Sequence, residues 1–575
     1  MQTPLPPPAH SPRPPYSDPV DHATEPGTHV ALDRLYIRNP GSWLVALLAA
    51  YLTVGTLFAL RTPAWQAPDE PAHYNYIAHI ATTGRLPVLQ AGDFDPAHLA
   101  MLLENRFPRK LTTATLRYES YQPPLYYLLA TPIYRLSNGN LQMLRLLNVF
   151  LGGVSILLLY ACLSLVFPGK TLIPLGAAAF SALLPMHVAM NAAVNNDGAA
   201  HLLLMATMLL LLRRMRDAFY GTHETTPQRR RSLLWLGVLL GLGLVTKIYA
   251  YLLLPIVLVV LLLLDWLRPR SSGDPQDGVR LSPSRSGLLD GVRAASWVLA
   301  PALLIAAPMW VRNALLYGPT DLLGLSRHDQ IVVGQVRTAE WIATHGWMDY
   351  AERAISFTFR SFWGVFGWMG AFMDDRIYTA LLFFTGVIFL GLLWATVRFI
   401  SGGADTDMNV FQLTVLLLFG VILLAVFTGY VGYNLKFMQH QGRYFFWGLL
   451  PISTIIALGW REVLQPLQGA ITGLLAAVLA LAIALVGTVN GDLNKWTLLS
   501  VTVIALVLLC QPLLLGDQAD TLRWLPGKLK RFLARPLPAR LLQGGRALVW
   551  ALPFILLLVL NLMIPSLFIV PQLAR

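Results

Sequence analysis

Apolar stretches long enough to cross a lipid bilayer recur along almost the whole chain, from about residue 42 to about residue 570. A hydrocarbon core of about 30 Å takes roughly 20 helical residues at about 1.5 Å each. Backbone amides inside lipid find no water and must pair within their own segment, which points to helices. The composition agrees: 55% of the 575 residues are hydrophobic and only 13% charged, too little polar surface for a soluble globule of this length. The expected fold class is an all-α polytopic membrane protein. Spans are expected near 42–60, 141–167, 171–190, 198–212, 233–247, 249–267, 295–311, 378–397, 410–432, 444–460, 468–489, 497–515 and 547–570, about 13 transmembrane helices.

Lys and Arg number 43 against 30 Asp and Glu, a net charge of +13. In a soluble protein that excess would suggest nucleic acid; in a membrane protein it reports sidedness, because basic loops stay in the cytoplasm, and no nucleic-acid partner is expected. With the amino terminus inside, three clusters fall on one side: Arg213 to Arg231, Arg268 to Arg293, and Arg523 to Arg546. The piece Pro124–Leu136 is therefore expected to be a juxtamembrane helix, since a span there would put every basic cluster outside. The extracytoplasmic segments are then 61–140, 191–197, 312–377 and 433–443. The expected setting is the plasma membrane with the active site on its outer face.

The domain organisation expected is a disordered cytoplasmic tail over 1–40, rich in proline (PLPPPAHSPRPP) and not a cleaved signal, then a catalytic transmembrane module over 41–460 with outer loops 61–140 and 312–377. Residues 461–575 follow as C-terminal helices with a basic cytoplasmic loop, 516–546. Cys162 and Cys510 sit in apolar runs and are expected to be packing residues.

Two outer turns carry acids. Ala67-Pro68-Asp69-Glu70-Pro71-Ala72-His73-Tyr74 follows the first span, and Val194-Asn195-Asn196-Asp197-Gly198 joins two later ones. Each has a structural explanation as a helix cap or first-turn acid. Charge this close to lipid is costly unless it is paired or used, and two such turns at one membrane depth raise the functional weight. Asp93-Phe94-Asp95 and Asp405-Thr406-Asp407 match an acid-x-acid pattern, but neither is expected to bind metal: the first lies in a solvated loop, the second on the other face.

The order PDEPAH, then Glu119-Ser-Tyr-Gln-Pro-Pro-Leu-Tyr-Tyr, then Asn-Asn-Asp-Gly resembles the glycosyltransferase-C superfamily, closest to the protein O-mannosyltransferases, the lipid A aminoarabinose transferases and a related uncharacterised bacterial family. Thr246-Lys247-Ile248-Tyr249, Trp310-Val311-Arg312-Asn313, Ser361-Phe362-Trp363-Gly364 and Gln441-Gly442-Arg443-Tyr444 continue it across about residues 42 to 460. Where many relatives carry His or Lys before Pro-Pro-Leu-Tyr-Tyr, this chain has Tyr121-Gln122, which puts a cationic contact there in doubt.

The resemblance implies inverting transfer of a hexose or pentose from a polyprenyl-phosphate carrier to an extracytoplasmic protein, lipid or glycan. By analogy Asp69 is the base, Glu70 orients acceptor or base, and Asp197 completes the acidic site. Asp69, His73 and Asp197 are the candidate set for a divalent cation, Mg or Mn, whose use varies in the superfamily. Lys247, Arg312 and Arg443, at three outer helix ends, are expected to bind the donor phosphate, with Lys436 a weaker candidate; snorkelling to headgroups is the plain alternative. The rival function is a transporter or flippase of a lipid-linked intermediate, which would favour pseudo-repeats and broken helices. Transfer of a preassembled glycan or a phospho-group is a further enzymatic alternative.

Overall fold

The computed structural model describes residues 33, 36–221, 225–267, 269–270, 280–281, 283–401, 408–515, 531 and 535–574. The chain is an all-α polytopic membrane protein. Its first half runs α1 (Pro40–Arg61), α2 (Glu70–Thr83), α3 (Pro96–Glu104), a 3-10 turn (Tyr118–Tyr121), α4 (Leu125–Leu136), α5 (Leu141–Val166), α6 (Leu172–Leu183), α7 (Pro185–Asn191), α8 (Asp197–Tyr220), α9 (Thr226–Leu244), α10 (Ala250–Trp266) and α11 (Arg285–Tyr317). The second half has α12 (Leu325–Ile331), α13 (Thr338–His345), α14 (Trp347–Gly364), α15 (Asp375–Ile400), α16 (Val410–Lys436), a 3-10 turn (Gly442–Gly448), α17 (Leu449–Val463), α18 (Pro466–Asn490), α19 (Lys495–Cys510), α20 (Pro536–Ile564) and α21 (Val570–Leu573). Among the described residues the strands form two short antiparallel pairs, Pro269–Arg270 with Arg280–Leu281 and Val365–Phe366 with Ala371–Phe372.

Among the described residues, nine helices are long and apolar enough to cross a membrane: α1, α5, α8, α11, α15, α16, α18, α19 and α20. α6 and α7 are long and apolar enough only as a pair, bent by 63° where Pro185 removes a backbone donor and blocks continuation of α6. The other three expected spans are the helices α9, α10 and α17, of 19, 17 and 15 residues. α4 is a 12-residue helix packed on α2, as expected of a juxtamembrane piece.

Small residues let the bundle close. A Cβ on Gly237 of α9 would lie 2.3 Å from the carbonyl oxygen of Val298 on α11. Val298, Ala302 and Ala306 supply the facing buried stripe, a seam of the kind that brings helix backbones together in lipid.

The loops sort to two ends. At one, Trp368 Nε1 donates to Trp65 O (2.9 Å), Val194 N to Glu70 Oε1 (3.1 Å) and Thr338 Oγ1 to Asn434 O (2.7 Å), so all four segments expected on one side meet. At the other, Arg214 and Arg229 converge on Asp265 at 3.3 and 2.5 Å, joining α8, α9 and α10.

The tail expectation needs correction at its end. Asp33 is buried, accepts from Leu172 N (2.9 Å) and pairs with Arg461 (2.8 Å), while Tyr36 donates to Leu464 O (3.1 Å). Residues 1–32, 34 and 35, most of loop 516–546 and Asp405 to Asp407 lie outside the described residues. Cys162 is buried and Cys510 exposed. Replacing Gly237 with Leu should overpack the α9–α11 seam and destabilise the detergent-solubilised protein by about 1–3 kcal/mol, read as a lowered melting temperature.

Candidate active site

The chain leaves α1 and turns sharply before α2. Glu70 N closes the turn onto Ala67 O at 3.3 Å, with Pro68 second and Asp69 third. Asp69 takes φ 64°, ψ −4°, the left-handed pair a type II turn needs at that place and one usually filled by Gly or Asn. Asp tolerates it better than most side-chain-bearing residues, at some cost in strain. The consequence is geometric: the two adjacent carboxylates point to different environments.

Glu70 turns inward. It is 0% exposed and binds the 1% exposed Arg145 of α5 with both oxygens, at 2.7 and 2.6 Å. Trp65 N and Val194 N also donate to it, and Arg145 donates to the carbonyls of Ala59, Thr62 and Pro63. The expectation that Glu70 faces acceptor or base does not match this geometry; its oxygens are fully engaged in holding the turn.

Asp69 turns outward and stays one-third exposed. Tyr118 Oη donates to its Oδ1 at 2.9 Å, and Arg443 Nη2 lies 3.4 Å from its Oδ2. Asp197, first residue of α8, pairs with Lys247 Nζ at 2.5 Å. The Asp197 turn is held by Asn148 of α5, whose amide donates to Ala193 O and Asn195 O. Arg443 is brought in by a close approach: a Cβ on Gly442 would lie 2.3 Å from Phe362 N of α14, and Gly442 N donates to Ser361 Oγ at 2.8 Å. Four segments far apart in sequence thus deliver two carboxylates and two cations to one end of the bundle.

The remaining expectations separate. Arg312 donates to Pro87 O (2.5 Å) and Asn313 Oδ1 (3.3 Å), tying α11 to the loop after α2 rather than joining the Asp69 cluster. Lys436 pairs with Asp329. His73 is buried, its Nδ1 2.8 Å from Tyr127 Oη, and burial pushes its pKa down to about 4, so it is neutral at pH 7. Among the described residues no three His, Cys, Asp or Glu side chains are grouped to hold a metal ion. Asp69, His73 and Asp197 do not fit as a ligand set, since His73 engages Tyr127 and Asp197 engages Lys247. Asp93 is paired with Arg117 (2.7 Å), and Asp95 caps α3 through Ala97 N and His98 N. Trp363, in the motif Ser361-Phe362-Trp363-Gly364, is core, and Trp368 Nε1 donates to Trp65 O.

Sequence reasoning missed two residues. Arg145 stands alone in the apolar run LQMLRLLNVFL, and an ionisable residue inside a span was itself a signal. Glu119 is 8% exposed and its Oε2 has no hydrogen-bond partner. Burial, then the charge of Asp69, push its pKa up to about 8 against the opposing pull of Gln122, Lys247 and Arg443. At neutral pH Glu119 is largely a protonated donor beside the acid cluster.

Residues 121–272 match the family model described as dolichyl-phosphate-mannose-protein mannosyltransferase, a segment that contains Asp197 and Lys247. The resemblance to the glycosyltransferase-C superfamily is borne out there. The fold is similar to the Archaeoglobus fulgidus oligosaccharyltransferase tethered with an acceptor peptide containing the NVT sequon, at 14% identity and TM-score 0.44, over 88% of this chain and 55% of that one. It is also similar to ArnT from Cupriavidus metallidurans bound to undecaprenyl phosphate, at 15% identity and TM-score 0.40, over 90% of this chain and 77% of that one. The chain therefore spans little more than half the length of the archaeal protein. No curated protein gives a match.

Two outcomes follow from the opposed environments of these acids. Glu70→Gln should cost about 3–5 kcal/mol by leaving the buried Arg145 charge uncompensated, whereas Asp69→Asn, which keeps the turn geometry, should leave the melting temperature nearly unchanged. Glu119 holds its proton to about pH 8 in the fold and to about 4.5 when unfolded, so the folded state binds more protons between those values and stability falls as pH rises through that window. Glu119→Gln should flatten this fall, measured by thermal unfolding across the same pH range.

Proposed function

We propose that this membrane protein is a glycosyltransferase that moves one hexose or pentose from a polyprenyl-phosphate donor to a hydroxyl on an extracytoplasmic protein, lipid or glycan. The observation that carries the reading is that the Asp69–Arg443 and Asp197–Lys247 pairs stand together, with Arg443 in the field of both carboxylates. A displacement at an anomeric carbon needs a base for the attacking hydroxyl and charge stabilisation for the departing phosphate, and this cluster holds groups of both kinds. The family matched over residues 121–272 is described by a donor of the same chemical class.

In the proposed reaction Asp69 accepts the proton of the acceptor hydroxyl as its oxygen bonds to the anomeric carbon. The bond from that carbon to the phosphate oxygen breaks in the same step, inverting the centre. Lys247 and Arg443 take up the charge growing on the leaving phosphate, the guanidinium by a planar two-pronged contact and the ammonium as a point charge. Asp197 holds Lys247 in place before the donor arrives. Tyr118 orients the Asp69 carboxylate, and protonated Glu119 lowers the negative charge around it.

We assign the Asp69 end to the extracytoplasmic side and the amino terminus to the cytoplasm of the plasma membrane. The support is the basic run Arg213 to Arg231 at the opposite bundle end. The catalytic module is assigned to 41–460. Residues 461–575 contribute accessory helices.

Asp69→Asn should lower transfer from radiolabelled polyprenyl-phosphate sugars to membrane acceptors by about 10²–10⁴-fold, with donor binding retained. Undiminished transfer would remove Asp69 as the base. Donor binding with movement across vesicles and no transfer to any acceptor would instead establish the flippase reading.

A further inference from the structure

The bundle end opposite Asp69 carries a concavity of its own. α8 starts at Asp197 and runs 24 residues to Tyr220, so Arg213, four turns beyond Asp197, lies about 24 Å along the helix from the acid cluster. There a cavity of about 470 Å³ opens between α5, α8 and α9. Its walls are helical stripes: Ala206, Leu209 and Arg213 on α8 face Leu239, Trp235 and Arg231 on α9. Both stripes run from apolar in the depth to polar at the rim, where Arg213 and Arg231 stand with Gln228 and with Asp217, whose carboxylate is paired with Arg216.

The arginines here divide by what they touch. Arg214 and Arg229 share Asp265, Arg216 reaches Asp217 at 3.3 Å, and Arg230 lies over the Trp297 ring at 5.6 Å. Arg213 and Arg231 are exposed, have no side-chain partner among the described residues, and both line the cavity. A lone arginine at a helix end commonly reaches for headgroups without making a site. Two guanidiniums from different helices over one apolar-floored concavity, with the exposed Trp235 ring one turn from Arg231, form something more specific.

We infer that this cavity binds the headgroup of an anionic glycerophospholipid in the leaflet opposite the acid cluster. The phosphate sits between Arg213 and Arg231, each able to meet it with two parallel N–H donors. The acyl chain follows Leu209, Leu158 and Leu239 into the bilayer. The apolar floor favours a lipid over free phosphate, and two guanidiniums with no side-chain partner among the described residues favour an anionic lipid over a zwitterionic one. The site is independent of the transfer reaction and stands or falls separately from it.

The test is native mass spectrometry on the purified full chain, comparing retention of phosphatidylglycerol and phosphatidylcholine. Wild type should retain phosphatidylglycerol preferentially, and Arg213→Gln with Arg231→Gln should weaken it about thirtyfold while phosphatidylcholine is unchanged. Leu209→Trp tests the apolar floor with both arginines intact and should also lose the lipid. Equal retention by wild type and the double variant would overturn the inference, as would a wild type without preference for the anionic lipid. Displacement by inorganic phosphate, together with undiminished binding in Leu209→Trp, would mark a free-anion site and overturn it too.

Discussion

The ion pair between Glu70 and Arg145 is the constraint on which the rest of the Asp69 end depends. A guanidinium removed from water is tolerated only where every donor finds an acceptor, and Arg145 finds the two Glu70 oxygens and the carbonyls of Ala59, Thr62 and Pro63. Those acceptors come from the end of α1 and the turn that follows, so satisfying the charge also fixes how the chain leaves the membrane. Glu70 Oε1 takes Val194 N as well, which ties the Asp197 turn to the same anchor. One buried carboxylate thereby sets the relative positions of the two turns that carry Asp69 and Asp197.

The strain at Asp69 belongs to the same arrangement. With φ at 64° the backbone reverses between two neighbouring acids, one becoming anchor and the other staying open to solvent and to Arg443. Such a conformation persists only when its surroundings over-determine it. Here the bidentate pair on one side and the hydrogen bond from Tyr118 on the other do so. The cluster is balanced at rest, each carboxylate facing a cation, and in the proposed reaction a phosphate entering it would compete with the acids for Lys247 and Arg443.

The bundle itself follows from lipid. Backbone pairing forces helices, and close contact between them depends on residues without bulk, as where Gly237 meets Val298 or Gly442 meets Phe362. At the Asp69 end, polar side chains reach from the bundle into loops: Asn148 grips the Asp197 turn, and Arg312 grips the loop after α2 at Pro87. The outer end is thus built by side chains reaching from spans into turns, which is why residues hundreds of positions apart can share one site.

The sequence by itself determined the helical membrane class, the approximate places of the spans, the sorting of loops to two ends and the acids and cations worth examining. These follow from local quantities, the length of apolar runs and the spacing of charge, because a bilayer imposes them segment by segment. It could not tell Asp69 from Glu70, since two adjacent carboxylates between prolines look alike until a left-handed backbone points them apart. Nor could it separate Lys247 and Arg443, which face acids, from Arg312, which faces a carbonyl; all three end apolar helices. Glu119 acquires its raised pKa only from burial beside Asp69, 50 residues away in sequence. Only the tertiary structure decided these roles, because each depends on which distant partner occupies the space a side chain reaches.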